Sequence, residues 1–158
     1  MVTRGPIGGV LTAIVVLTMI AASQGGSVVG QSRSSDDAAV RRVLDDYIGL
    51  YRKDTLEGWK TLFVSGFTAT YTNDDGSVTT RTLDDFYERQ RSGFERGAMN
   101  ETIQNPRVTR AGKLAHVFTD FVFTSGGAAP RHGQLMLLLI EEKGQFKIAA
   151  LTFTYHLQ

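Results

Sequence analysis

The sequence predicts an α+β fold in which three helices cover one face of a mostly antiparallel sheet of about six strands. The last third of the chain reads as three consecutive strands, over residues 114–124, 132–142 and 145–156, and helical patterns come before them. The second of these three strands is apolar on both faces over residues 134–140, where every residue after Gln134 is apolar, so each face of the sheet needs a cover there. Helices supply the first cover, and a second subunit is expected on the other face.

Length and composition describe one ordinary globular domain. The chain has 158 residues, of which 42% are hydrophobic and 21% charged, which is enough for a single core. A net charge of +1 gives no basis for binding nucleic acid. The absence of cysteine excludes disulfides and Cys-ligated zinc, and 3 scattered histidines offer no metal-ligand spacing. We therefore expect neither a metal nor another cofactor.

The first part of the chain is predicted to lie outside the domain. Arg4 precedes an apolar run over residues 7–22 that ends in small residues, which is typical of a secretory signal peptide, here residues 1–23. The alternative is an uncleaved anchor, although the run falls short of the ~20 residues that span a bilayer. Residues 24–34 then form a flexible linker, and residues 35–158 form the domain. We expect a secreted or periplasmic protein without membrane contact after cleavage.

Three helices are predicted ahead of the closing strands. The first begins after Ser35 as its N-cap, and its apolar residues recur at steps of three and four. The second covers residues 55–64 and ends at Gly66. The third begins after Thr82, whose spacing to Asp85 is a variant of the capping box. The apolar stripe of the first helix consists of Val40, Val43, Leu44, Tyr47, Ile48 and Tyr51.

Three further strands are predicted between the helical segments and the closing strands. Residues 67–72 and 78–81 are rich in β-branched side chains and flank an Asp-Gly turn, which is a hairpin signal. Residues 99–110 form a less regular strand, and Pro106 within it favours a sheet edge or a bulge.

With this order of elements the chain resembles the nuclear transport factor 2-like superfamily, in its SnoaL-like branch. The resemblance rests on the opening helix over residues 39–47 and on the ending over residues 142–151, which reads as the family's acid, basic, Gly, x, aromatic, basic, Ile hairpin. It covers about residues 36–156. It implies a cone-shaped α+β roll, with helices on the concave face of a curved sheet, a pocket between them, and frequent dimerisation through the outer sheet face. Members include isomerases, cyclases, dehydratases and proteins without assigned chemistry, so the fold does not name an activity.

Strand pairing selects the residues that would face such a pocket. A two-residue turn at Lys143 and Gly144 pairs Glu142 with Gln145, and the same register continues along both strands. Symmetrical closure of residues 125–130 then places Asp120 opposite Leu135. A slip of one residue would turn the whole set to the other face. The polar residues that this register gathers on one face are Thr124, Asp120, Arg131, Thr154 and His156.

Asp120, Tyr47 and Tyr51 are the candidate catalytic residues. A carboxylate between Phe118 and Val122 would be desolvated, which would raise the pKa of Asp120 and suit a base or an anchor. The alternative is a solvated or Arg-paired side chain. The resemblance to ketosteroid isomerases places an oxyanion-binding Tyr on the first helix, where Tyr47 and Tyr51 lie; their alternative role is core packing.

The predicted ligand is a small apolar or aromatic molecule, and Arg131 is the candidate clamp for a carboxylate. The family places its base on or near the first strand, but residues 67–72 contain no acid, so this chain departs from that pattern. Three functions stay open: a small-molecule-binding domain, a proton-transfer enzyme acting on a hydrophobic carbonyl compound, and a partner-binding dimeric module. The predicted ligand-binding residues are Tyr51, Trp59, Phe63, Phe86, His116, Asp120, Arg131 and Thr154.

Overall fold

The computed structural model describes the backbone of residues 28–156 and the side chains of residues 38–156. The predicted signal peptide lies outside them. No helix in this described part is long and apolar enough to cross a membrane. The elements in chain order are α1 (Val28–Gly49), α2 (Leu56–Lys60), β1 (Phe63–Thr72), β2 (Val78–Thr82), α3 (Leu83–Arg96), β3 (Met99–Ala111), β4 (Leu114–Ser125), β5 (Arg131–Glu142) and β6 (Gln145–Tyr155).

The six strands form one curled sheet in the order β2-β1-β6-β5-β4-β3. All neighbours are antiparallel except β1 and β6, which run parallel. Helix α1 packs on β3 and β6, and α3 packs on β1 and β2. The predicted α+β class, with helices on one face of a mostly antiparallel six-stranded sheet, is confirmed.

The core lies between the helices and the concave face of the sheet. Five of the six residues of the predicted apolar stripe are buried there and Ile48 is half-buried, whereas their neighbours Arg41 and Asp45 are exposed; α1 ends at Gly49, so Tyr51 follows the helix. Trp59 of α2 is fully buried, and its ring centroid lies 4.6 Å from that of Phe63. Burial of the apolar surface of such a side chain stabilises the fold by about 2–3 kcal/mol. The sheet contributes a row of inward-facing leucines, namely Leu135, Leu137, Leu139 and Leu151.

Helix α1 begins earlier than predicted. It starts at Val28 rather than after Ser35, so most of the predicted linker over residues 24–34 is helical, and residues 24–27 lie outside the described part. No proline interrupts the sequence from Val28 to Gly49, so nothing in the backbone chemistry stops the helix from extending back toward its N-terminus.

Helix α2 is shorter than predicted, and β1 is longer. The helix ends at Lys60, and Phe63 already pairs with Ile148 of β6. Gly66 therefore lies within β1, at a shift of register between Phe63 and Thr68, instead of ending a helix. Aromatic and β-branched residues at the start of this stretch favour a strand once a partner strand is available.

Two local predictions are confirmed. The Thr82 hydroxyl oxygen accepts a hydrogen bond from the backbone N–H of Asp85 at 3.3 Å, so Thr82 is the N-cap of α3. The edge strand β3 carries a bulge between Gln104 and Arg107, next to Pro106. A proline lacks the backbone N–H that a regular ladder needs, so the strand bulges where it occurs.

The strand register agrees with the prediction only near the last turn. Glu142 pairs with Gln145, and the predicted pairing holds as far as Leu139 with Ile148. Leu138 then pairs with Ala150, which leaves Ala149 as an extra residue. An extra residue in one strand is a β-bulge, and it turns every later residue of β6 to the opposite face.

Candidate functional site

A cavity of about 300 Å³ lies between helices α1 and α3 and the concave face of the sheet. This volume is at the lower end of the range for small-molecule sites. Most of its buried lining is aromatic or aliphatic. The buried lining residues are Tyr47, Tyr51, Tyr71, Phe86, Gly93, Phe121, Leu135 and Leu151.

Glu101 of β3 places a carboxyl group in this cavity. Along β3 the half-buried residues Met99, Glu101 and Ile103 alternate with exposed ones, as a strand with one covered face requires. Glu101 is thus the acidic member of an otherwise apolar row. Burial raises its pKa from 4.5 to about 7, although a hydrogen bond with Tyr47 acts in the opposite direction. The carboxyl group can therefore both accept and release a proton near neutral pH.

Tyr47 of α1 and Tyr51, which follows the end of that helix, both line the cavity. Tyr47 donates its hydrogen bond to Glu101, and burial raises the pKa of Tyr47 well above its ordinary value. Tyr51 donates to the side-chain oxygen of Gln90 on α3, at 2.6 Å, and burial also raises its pKa. Both hydroxyls stay protonated at neutral pH, so Tyr47 is a hydrogen-bond donor next to the carboxyl group.

The far wall of the cavity is a cluster of aromatic rings from β1, β4 and β6. Tyr71 stacks on Phe153 with 4.8 Å between ring centroids, and Phe121 lies 5.4 Å from Tyr155. Gly133 makes this packing possible, because a Cβ atom there would lie 2.5 Å from the Phe121 ring. Burial raises the pKa of Tyr155 to about 12.

Charged side chains surround the mouth of the cavity. Arg89 and Arg96 of α3 line it and are exposed. Arg131 is half-buried, donates a hydrogen bond to Asp74, and holds its guanidinium carbon 3.6 Å from the centroid of the Tyr155 ring. Asp74 neutralises Arg131, so the two arginines of α3 give the mouth a positive charge.

The arrangement can bind an apolar molecule and hydrogen-bond to a polar group on it. Among the polar groups that line the cavity, Glu101 has a proton to exchange near neutral pH, and Tyr47 has a proton to donate in a hydrogen bond. No group of metal-ligating side chains occurs among the described residues.

The structure brings together only part of the predicted site. Tyr47, Tyr51, Phe86 and Arg131 line the cavity. Trp59 and Phe63 do not line it but lie directly behind it: the ring centroid of Trp59 is 5.4 Å from that of Tyr51. Their predicted role in ligand contact becomes one of supporting the cavity wall.

The predicted inward direction of Asp120, His116 and Thr154 is wrong. Asp120 pairs with Gln134, one residue away from the predicted Leu135, and the slip turns Asp120 and His116 to the outer face of the sheet. The predicted closure assumed an even number of loop residues, 125–130. The observed loop has an odd number, 126–130, and begins with Gly126 at φ 57°. The bulge at Ala149 turns Thr154 outward in the same way.

The sequence prediction missed Glu101, Arg89 and Arg96. Glu101 stands at alternate spacing between Met99 and Ile103, so a two-residue periodicity would have placed it on the covered face. The two arginines follow Phe86 at steps that continue the inward face of α3.

Comparisons with known proteins agree with this fold. A family model described as the SnoaL-like domain matches residues 32–152. No curated protein matches the sequence. A protein of unknown function from Mycobacterium tuberculosis has a TM-score of 0.70 at 16% identity, over 85% of this chain and 79% of that one. A protein from Novosphingobium aromaticivorans named "Putative Scytalone Dehydratase" has a TM-score of 0.66 at 15% identity, over 81% of this chain and 89% of that one.

A third structure, from Nostoc punctiforme, is described as a protein of unknown function with a cystatin-like fold. Its TM-score is 0.61 at 8% identity, over 78% of this chain and 92% of that one. Identities this low show the shared fold alone. The family model, in contrast, spans most of the chain. The chain belongs to the SnoaL-like domain family of the nuclear transport factor 2-like superfamily.

Proposed function

We propose that the domain binds a small, mainly apolar molecule in its cavity. The observation that carries the proposal is a cavity of about 300 Å³ with aromatic walls and one carboxyl group inside it. Sites for small molecules are concave, mostly apolar and contain a few converging polar groups. Glu101 and Tyr47 are those groups, and they give the bound molecule its orientation.

Thermal unfolding with a panel of aromatic and steroid-like compounds tests this proposal. A true ligand raises the melting temperature as its concentration rises. Thr72→Trp places a large ring in the lining and should abolish the shift. Thr68→Trp, at an exposed position of the same strand, should leave it unchanged. Equal shifts in both variants would place the binding elsewhere and contradict the proposal.

A second candidate function is proton transfer on a hydrophobic carbonyl compound. It is supported by the pKa of about 7 for Glu101 and by the neighbouring Tyr47 hydroxyl. A base with a pKa near the ambient pH abstracts protons most efficiently. Glu101 would take a proton from the carbon next to the carbonyl group, Tyr47 would hydrogen-bond the resulting enolate oxygen, and Glu101 would return the proton to carbon.

Deuterium exchange gives a direct readout of this chemistry. With α-tetralone in D₂O, the protein should accelerate the replacement of the protons next to the carbonyl group, followed by NMR. Glu101→Gln should abolish the acceleration, because an amide cannot take the proton. Glu142→Gln, at the exposed end of β5, should keep it. An unchanged rate in Glu101→Gln would remove Glu101 as the base.

We also propose that the outer sheet face forms a homodimer. The support is a group of apolar side chains on this face, where the exposed Leu114 is opposite the exposed Ile140, and the half-buried Phe118 is opposite the exposed Met136. Leu114 is 47% exposed and Met136 39%. Patches of this kind mark interaction sites in soluble proteins.

Export of the protein is proposed from the N-terminal sequence alone. Arg4 and the apolar run that follows it are the parts of a signal peptide. Sequencing of the mature protein should give an N-terminus between about residues 24 and 31. An intact Met1 would contradict cleavage.

A further inference from the structure

We propose that the mouth of the cavity binds an oxyanion, so that the ligand has an apolar body and a carboxylate or phosphate group at one end. Arg89 and Arg96 of α3 are the residues that would hold this group. The inference rests on the proposed small-molecule function and adds the chemical class of the ligand.

The arginines on the two sides of α3 differ in their ion-pair partners. Arg91, which faces away from the cavity, lies 2.6 Å from a carboxylate oxygen of Glu88 and 3.3 Å from one of Glu95. Arg89 and Arg96 line the cavity, and among the described residues neither has an ion-pair partner. Arg91, on the side away from the cavity, is therefore neutralised by its neighbours, whereas Arg89 and Arg96 are available to bind an anion.

The acidic side chains that line the cavity have other partners than Arg89 and Arg96. Asp74 is paired with Arg131. The pKa of Glu101 is governed by burial and by Tyr47, and no arginine contributes to it. Neither acid forms an ion pair with Arg89 or Arg96 in the part of the chain that the structure describes, so a positive charge remains at the mouth for an incoming anion.

The aromatic wall of the cavity lies close to charged side chains. Tyr155 of this wall lies under the guanidinium group of Arg131, with 3.6 Å between the guanidinium carbon and the ring centroid, and the charges of Glu101, Arg131 and Arg89 all affect its pKa. An elongated ligand could place its apolar body against the wall and its charged end at the mouth.

The spacing of the two arginines suits one shared anion. Positions 89 and 96 are separated by seven residues, or about 10 Å along the helix, and fall on nearly the same side of it. Two long side chains at this separation can converge on a group between them. Guanidinium groups bind carboxylates and phosphates through paired N–H donors.

Matched naphthalene probes test the inference by calorimetry in a buffer free of carboxylate and phosphate. The probes are 2-naphthoate, 2-naphthyl phosphate and the neutral 2-naphthamide. We expect an anionic probe to bind about tenfold more tightly than the amide, which is the effect of one good charged hydrogen bond. The better of the two anions identifies the headgroup.

Arg89→Gln combined with Arg96→Gln should reduce this preference to less than about twofold while the affinity for 2-naphthamide stays the same. Arg91→Gln removes an equal charge from the same helix and should retain the preference. Equal binding of the acid and the amide by the native protein would overturn this inference alone, and so would an equal loss of preference in Arg91→Gln. Binding of no probe would overturn both this inference and the proposed function.

Discussion

Inside the cavity, the hydroxyl group of Tyr47 on α1 donates a hydrogen bond to the carboxyl group of Glu101 on the edge strand β3. The two residues are far apart in the sequence, and only the curl of the sheet over the helix joins them. Burial favours the neutral carboxyl group, and the tyrosine favours the ionised one. The balance leaves Glu101 with a pKa near neutrality, and the first two predictions follow from it.

Glu101 should make the stability of the protein depend on pH. Its pKa is higher in the folded state, so the unfolded chain loses this proton first, and stability falls as the pH rises from about 4.5 to about 7. The gap corresponds to about 3 kcal/mol at most. Glu101→Gln should remove this slope in urea unfolding measured across that range, and Glu142→Gln should retain it. A slope that persists in Glu101→Gln would contradict the raised pKa.

Removal of the Tyr47 hydroxyl should raise the pKa of Glu101 further. The hydrogen bond from Tyr47 stabilises the ionised carboxylate, so Tyr47→Phe shifts the balance toward the neutral form. A titration of the Glu101 side-chain carbon by NMR measures the change. Tyr87→Phe is the control, because the Tyr87 hydroxyl binds Glu57 away from this cavity. A lower pKa in Tyr47→Phe would exclude the hydrogen bond.

Gly133→Ala should destabilise the fold strongly. Its Cβ atom would collide with the carbonyl oxygen of Thr154 and lie 2.5 Å from the Phe121 ring, and the backbone oxygen cannot move away. The expected loss is about 1–3 kcal/mol in the free energy of unfolding. Gly66→Ala is the matched control, since a Cβ atom at that strand position meets nothing within 4 Å. Equal stabilities would show that the aromatic cluster adapts freely.

Met136→Lys should dissociate the proposed dimer. A charge at the centre of the outer face would be buried without a partner on association, which is strongly unfavourable. Sedimentation velocity at micromolar concentration should show a dimer for the native protein and a monomer for the variant. Val78→Lys removes an exposed apolar residue from the edge strand β2 and should remain dimeric. A monomeric native protein would end the dimer proposal.

The sequence predicted the order of elements and most of the core. The periodic stripe of α1 and the Thr82 cap are local signals, and the structure confirms both. Such local signals do not determine which face of the sheet Asp120 lies on, because its orientation depends on whether the loop after β4 has an odd or an even number of residues. Glu101 belonged to a recognised strand, yet only its alternation with Met99 and Ile103 shows that it faces inward.

The mouth of the cavity was the least predictable part. Arg131 was foreseen as a clamp for a carboxylate, but its partner Asp74 comes from a turn distant in sequence. A contact of that kind depends on the tertiary arrangement of the hairpin and β5, and no local pattern encodes it.

The extra residue Ala149 in the final strand determines what the interior is made of. Upstream of it the last two strands follow the spacing of their turn, and downstream Phe153 and Tyr155 point inward while Thr152 and Thr154 point outward. Deletion of this one alanine would exchange the two rows. The part of the wall that β6 contributes would then carry hydroxyl groups in place of aromatic rings. The deletion of a single codon would therefore be enough to change which ligands such a cavity binds.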